Sequence, residues 1–199
     1  IFSGIISIPL TFISDYLAVV GNVWYIEQSI YKILGIVAIE QFLFSFLFTY
    51  LLIIFYEHFI DNGKDLSINK KIKFIFYILL ISLFVLLIFI FLNPSLLEIR
   101  YAFLILGFIF VFLPVLILYK IAPKPFPKFT AVVIYFFFFD LIYELTALKL
   151  NHWEFIGPDF VGKIYVFGQL LPVEEVVFWM ILTTIAMLSW YEFFADDKK

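Results

Sequence analysis

Cysteine is missing from the sequence, which excludes disulfides, thiolate nucleophiles and cysteine-ligated zinc or iron–sulfur centres. Histidine is nearly as scarce. His58 and His152 fall in separate segments near opposite helix ends, so no metal site is expected. Charged residues make up only 15% of the 199, with a net charge of -3. They sit in short clusters between apolar runs rather than in one patch, so nucleic acid is not an expected partner. No G-x-G-x-x-G occurs, so no dinucleotide unit and no cofactor is expected, although a requirement for a reduced cofactor is left open. What the chain does have is apolar: 65% hydrophobic residues and 23% aromatic, with a mean hydropathy of +1.10. A soluble domain is roughly half apolar, so this is the composition of a polytopic membrane protein, with membrane lipid as its immediate partner. The chain opens on Ile1 rather than methionine, and a further N-terminal segment, a signal peptide or a first helix, is expected ahead of it.

About 20 apolar residues span the hydrocarbon core of a bilayer. On that rule the expected fold is all-α, a polytopic membrane helix bundle with six spans at approximately 2–20, 33–59, 72–92, 96–121, 126–150 and 165–194. Turn chemistry separates them: Gly21-Asn22, the stretch from Asp61 to Asp65, Asn93-Pro94, the proline- and lysine-rich Pro123 to Lys128, and 151–162.

The chain also carries an internal similarity. Asp15, Ala18, Asn22 and Trp24 match Glu144, Ala147, Asn151 and Trp153 at identical spacing, each set at a helix end. After loops differing by five residues, Ala38-Ile39-Glu40-Gln41-Phe42-Leu43-Phe44 aligns with Pro172-Val173-Glu174-Glu175-Val176-Val177-Phe178, and Tyr56-Glu57 echoes Tyr191-Glu192. Spans one and five cross in the same direction, so two parallel repeats are expected, with all the motif acids on one membrane face. The organisation is then residues 1–60 as a first repeat short of its leading helix, 61–95 as a connector helix and 96–199 as a second repeat, seven spans in an intact chain of about three helices per repeat. Lysine bias sets the orientation. Lys64, Lys70, Lys71, Lys73, Lys120, Lys124, Lys128, Lys198 and Lys199 lie on the face opposite the motifs, against Lys32, Arg100, Lys149 and Lys163 on the motif face. That balance makes the motif face extracytoplasmic.

Charges inside such a chain need a reason, because an ionisable group at membrane depth costs several kcal/mol unless it is paired, protonated or facing water. Acid-x-x-Ala, then a tryptophan loop, then Pro172-x-Glu174-Glu175 with Phe178 four residues after the first Glu, with a weaker earlier copy, resembles the integral-membrane lycopene cyclase domain. That family includes heterodimeric bacterial lycopene β-cyclases and the fused forms of archaea and fungi. The resemblance covers Asp15 to Glu57 and Glu144 to Glu192; the first unit departs from it where Ala38 replaces the proline and Gln41 the second glutamate.

The resemblance implies carotenoid biosynthesis by a non-redox isomerase, closing the ψ end of lycopene or a related acyclic carotenoid into a β-ionone ring within the bilayer. The partner is a lipid-soluble C40 carotenoid. An apolar pocket favours the neutral, proton-carrying form of a carboxyl group, as a general acid needs, and aromatic faces stabilise a carbocation as they do other cations. The expected catalytic groups are Glu174 as general acid and Glu40 as the facing carboxylate that either shares the proton or removes the later one. Asp15 and Glu144 complete the cluster. Glu175 either supports them or is a well-placed helix start after Pro172. Trp24, Trp153, Phe44 and Phe178 are expected to wall the substrate, with Asn22, Asn151 and Pro172 beside them. The tryptophans also suit an interfacial belt and the asparagines suit helix caps.

Other classes fit less well. An intramembrane CAAX-type protease needs histidines on later helices, and none follows Glu174; a prenyltransferase needs two Asp-rich motifs, and only Asp61-x-x-x-Asp65 is present. A proton-coupled transporter or channel, and a carotenoid-binding protein without catalysis, stay open as alternatives, as does the oligomeric state.

Overall fold

The computed structural model describes residues 1–27, 29–61, 70–93 and 99–194. Its helices are α1 (Phe2–Val20), α2 (Ile39–Phe55, extended by a π-helical turn Tyr56–Ile60) and α3 (Lys70–Leu92). A further rod joins α4 (Ala102–Leu106), a π segment (Gly107–Phe112) and α5 (Leu113–Ile121). Then come α6 (Phe126–Lys149) and a last rod in which a π segment (Glu175–Leu182) continues into α7 (Thr183–Phe194). Among the described residues, five helices are long and apolar enough to cross a membrane: Phe2–Val20, Ile39–Ile60, Lys73–Leu92, Ala102–Ile121 and Phe126–Lys149. In hydrocarbon every backbone polar group must be satisfied within the protein, and helices do this within one segment.

Helix α1 is the central post. Its apolar window is 72% buried, whereas that of α3, at the rim, is 18% buried. Ser3, Ser7 and Thr11 recur every fourth residue on α1 and are buried, a small-residue stripe of the kind that lets helices approach closely. Two serine hydroxyls on α1 turn back on the helix: Ser7 donates to the Ser3 carbonyl, and Ser14 to the Thr11 carbonyl at 3.1 Å. Outward, α2 and α3 present exposed Leu43, Leu47, Ile54, Ile78, Ile81 and Ile88, as lipid contact requires.

Two spans are shorter than the apolar runs that contain them. Residues 32–38 form a hairpin, β2 (Lys32–Ile33) with β3 (Val37–Ala38), so α2 starts at Ile39. Residues 163–172 form another, β5 (Lys163–Val166) with β6 (Gln169–Pro172), ahead of the last rod. Leu34 and Gly35 (φ 54° and 71°) and Phe167 and Gly168 (φ 46° and 82°) supply the consecutive positive φ angles that a type I′ hairpin turn demands. A third pair, β1 (Tyr25–Ile26) with β4 (Trp153–Glu154), joins the two tryptophan loops. The chain is mostly helical as expected, and three short antiparallel pairs form at its motif end. The fourth span is described from Ile99 onward.

The ends of α1 and α6 close alike. Val23 N–H donates to the Ala18 carbonyl at 2.7 Å and Asn22 N–H to Val19 at 3.1 Å; His152 donates to Ala147 at 2.9 Å and Asn151 to Leu148 at 3.2 Å. Asn22 and Asn151 hold φ of 52° and 55°. This is a Schellman ending with asparagine in the left-handed position. At the far end of the bundle, Tyr56 donates to Glu192 and Tyr191 donates to Glu57 at 2.8 Å.

Candidate active site

Beneath the paired tryptophan loops, α2, α6 and the last rod line a partly open cavity of about 150 Å³. Helix α2 contributes Gln41 and Phe44, α6 contributes Asp140, Tyr143 and Glu144, and the π segment contributes Glu175 and Trp179. The wall is aromatic and continuous: Phe44 stacks on Tyr143 with centroids 3.9 Å apart, Tyr143 meets Trp153 at 5.5 Å, and Trp153 meets Trp24 at 5.9 Å. Trp179 stacks on Phe103 at 4.9 Å.

Three carboxylates open into this box. Asp140 and Glu144 lie four residues apart, one above the other on the same face of α6. Glu144 accepts a hydrogen bond from the Trp153 indole N–H at 2.7 Å. Glu175 faces them from the last rod, within electrostatic reach of Glu144, Asp140 and Asp15. Asp15 is buried on α1 behind the cavity. Asp15 and Trp24 stand to each other in sequence as Glu144 and Trp153 do, but Asp15 is one methylene shorter. Both Asp15 Oδ2 and Trp24 Nε1 are left without a hydrogen-bond partner among the described residues, as is Trp179 Nε1.

Of the two adjacent glutamates, it is Glu175, at the start of the π segment, that lines the cavity. Thr183 Oγ donates to the Phe178 carbonyl at 2.8 Å, satisfying an acceptor within the π segment. Gly107 lets the other π segment approach so closely that a Cβ there would stand 2.9 Å from the Phe178 ring.

Several expected site residues lie elsewhere. Glu174, expected as the general acid, does not line the cavity: it is buried and accepts the backbone N–H of Val161. Glu40 does the same on the other side, accepting Ile30 N–H at 2.6 Å and Ser29 Oγ at 2.7 Å. Both are loop clamps at the heads of their helices, so the two do not face each other across the cavity. Phe178 packs on Gly107, Pro172 ends β6, and Asn22 and Asn151 are exposed helix caps. The cavity does collect Glu144, Glu175, Trp24, Trp153 and Phe44 from the sequence reading, with Asp15 behind them.

Asp140, Tyr143 and Trp179 join the cavity with no motif to mark them in the sequence, and Gln41 enters it as a wall residue. Asp140 ends the run Phe136 to Phe139 four residues before Glu144, so helical spacing alone puts both acids on one face. Gln41 is the aligned counterpart of Glu175, and the two meet in the same cavity. No family model matches this chain, and no curated protein or solved structure matches it either.

Proposed function

We propose that this chain is an intramembrane carotenoid cyclase of the lycopene cyclase domain type, built from two parallel repeats with six spans in this sequence and the motif face extracytoplasmic. The observation that carries the reading is the cavity itself, which puts three carboxylates inside an aromatic box within an apolar helix bundle. Paired features recurring along the chain support the repeats: the two Schellman endings, the two hairpins, the two glutamate clamps and the pairing of the tryptophan loops. Lys32 and Lys163 add another, since each donates to the carbonyl two residues beyond its tryptophan, Ile26 at 2.6 Å and Phe155 at 2.8 Å.

In the proposed reaction, the carboxyl proton of Glu175 is delivered to the terminal double bond of the acyclic end group. The neighbouring double bond attacks the resulting cation and closes a six-membered ring, moving the positive charge to a ring carbon. A carboxylate of the Asp140–Glu144 pair then removes an adjacent C–H proton, whose electron pair becomes the ring double bond. Atoms and electrons balance as an isomerisation, and proton exchange within the carboxylate cluster resets Glu175. Trp24, Trp153, Tyr143 and Phe44 offer π faces to the cation, each interaction contributing about 2 kcal/mol where water is excluded.

The test is pigment analysis of lycopene-accumulating cells that express the chain. β-Carotene or γ-carotene is the expected product, and an unchanged lycopene profile beside intact protein sinks the reading. A proton relay for coupled transport is the second reading, favoured by the buried Asp15 carboxylate behind the cavity, which extends the acids toward the central helix. Proton flux across vesicles without any change in added lycopene supports it instead.

A further inference from the structure

A second cavity, of about 350 Å³, adjoins the first at the motif end of α2 and α6 and shares Gln41, Tyr143 and Trp153 with it. The inner cavity, at about 150 Å³, has the volume that accepts a benzene ring. A C40 chain is several times that volume, so most of it must lie outside this cavity. The outer cavity lies within the range of small-ligand pockets, and its wall is more apolar than its residue names suggest. Thr146 Oγ is turned to the Ile142 carbonyl at 2.6 Å, and the Glu40 carboxylate is held by Ser29 and Ile30. Ile26, Ala147 and Leu150 line it beside these two, with His152 as its basic side chain.

We propose that the outer cavity is the second compartment of the substrate site, occupied by the polyene stem that follows the cyclising end, with Tyr143 and Gln41 as the partition between ring and stem. The inference rests on the cyclase reading. The inner cavity alone holds the reacting end, and the outer one selects for chain length.

Thr146, on α6, and Leu150, just past its end, are exposed and neither lines the inner cavity, so Thr146→Trp and Leu150→Trp fill the outer compartment without touching the acids. The experiment compares the wild-type chain with both variants, and with Thr130→Trp, exposed on the same helix and lining neither cavity, as the control for added bulk, in detergent–lipid micelles. The probes are lycopene and pseudoionone, a truncated acyclic chain with the same diene end whose cyclised product is β-ionone. Either outer-cavity variant should slow lycopene turnover on the order of tenfold or more while pseudoionone turnover stays within about twofold, and Thr130→Trp should behave as wild type. Lycopene turnover undiminished in both folded outer-cavity variants overturns the proposal. An equal loss for both probes also overturns it, marking the outer cavity as a water or proton passage. So does wild-type turnover of lycopene with none of pseudoionone, because the inner cavity then does not suffice for the reacting end. A wild-type chain that cyclises neither probe overturns the cyclase reading beneath it.

Discussion

At the scale of single residues, the decisive contrast is between two neighbours, Glu174 and Glu175. Adjacent positions on a helix point about 100° apart, so the sequence already says that only one can face the cavity fully. Which one is set by the hairpin before the helix, whose Val173 N–H donates to the Gly162 carbonyl at 2.9 Å and whose loop brings Val161 onto Glu174. That phase comes from long-range pairing and is invisible in a linear motif, where Glu174 stands out because Glu40 repeats it. Glu175→Gln removes the proton donor and should lower cyclisation on the order of 10²–10⁴-fold, the usual contribution of a general acid. Glu174→Gln keeps an amide oxygen for the Val161 N–H. It should cost on the order of 1 kcal/mol of stability and leave most turnover in place. Pigment ratios from the two variants at matched protein levels check this, and the reverse ranking would return the acid role to Glu174.

At the scale of elements, the apolar spans are legible because hydropathy and length suffice to find them, whereas the hairpins inside them are not. Leu34 and Phe167 occupy turn positions where asparagine or aspartate is the usual signal. Ile33 through Val37 and Tyr165 through Phe167 therefore read as the first residues of helices. The joint that matters most is between the tryptophan loops, where Gly157 N–H donates to the Val23 carbonyl at 3.3 Å. A Cβ at Gly157 would sit 2.3 Å from the Asn22 carbonyl oxygen and 3.0 Å from Val23 Cα, both backbone atoms that cannot rotate away. Gly157→Ala should therefore cost about 1–3 kcal/mol through overpacking, and by parting the loops that carry Trp24 and Trp153 it should also slow turnover. Gly162→Ala is the control, since its nearest neighbour is the Val173 side chain at 3.6 Å, and it should change stability by less than about 0.5 kcal/mol. Thermal unfolding of purified protein in micelles separates the two.

At the scale of the whole molecule, the halves of the chain are joined at both ends in a matched way. The tryptophan loops pair above the cavity, and far from it Tyr56 reaches Glu192 while Tyr191 reaches Glu57. Each Tyr-Glu dipeptide thus gives its hydroxyl to the other's carboxylate. The sequence shows the two dipeptides only as echoes, because the exchange across 134 or more residues exists only once the bundle closes. The two bonds should not be equal in weight. Tyr56 is fully buried and Glu192 is 6% exposed, whereas the Tyr191–Glu57 bond is only part-buried, and removing one partner of a buried pair costs about 1–3 kcal/mol, more where the group left behind is charged. Tyr56→Phe should therefore destabilise the bundle more than Tyr191→Phe, and the double variant should depart from additivity because the pairs are neighbours. Neither change touches the cavity, so cyclisation per folded molecule should stay within about twofold of wild type. Unfolding midpoints measured beside turnover test the distinction: a variant that keeps its stability but loses turnover would show that the far end takes part in the chemistry rather than in holding the halves together.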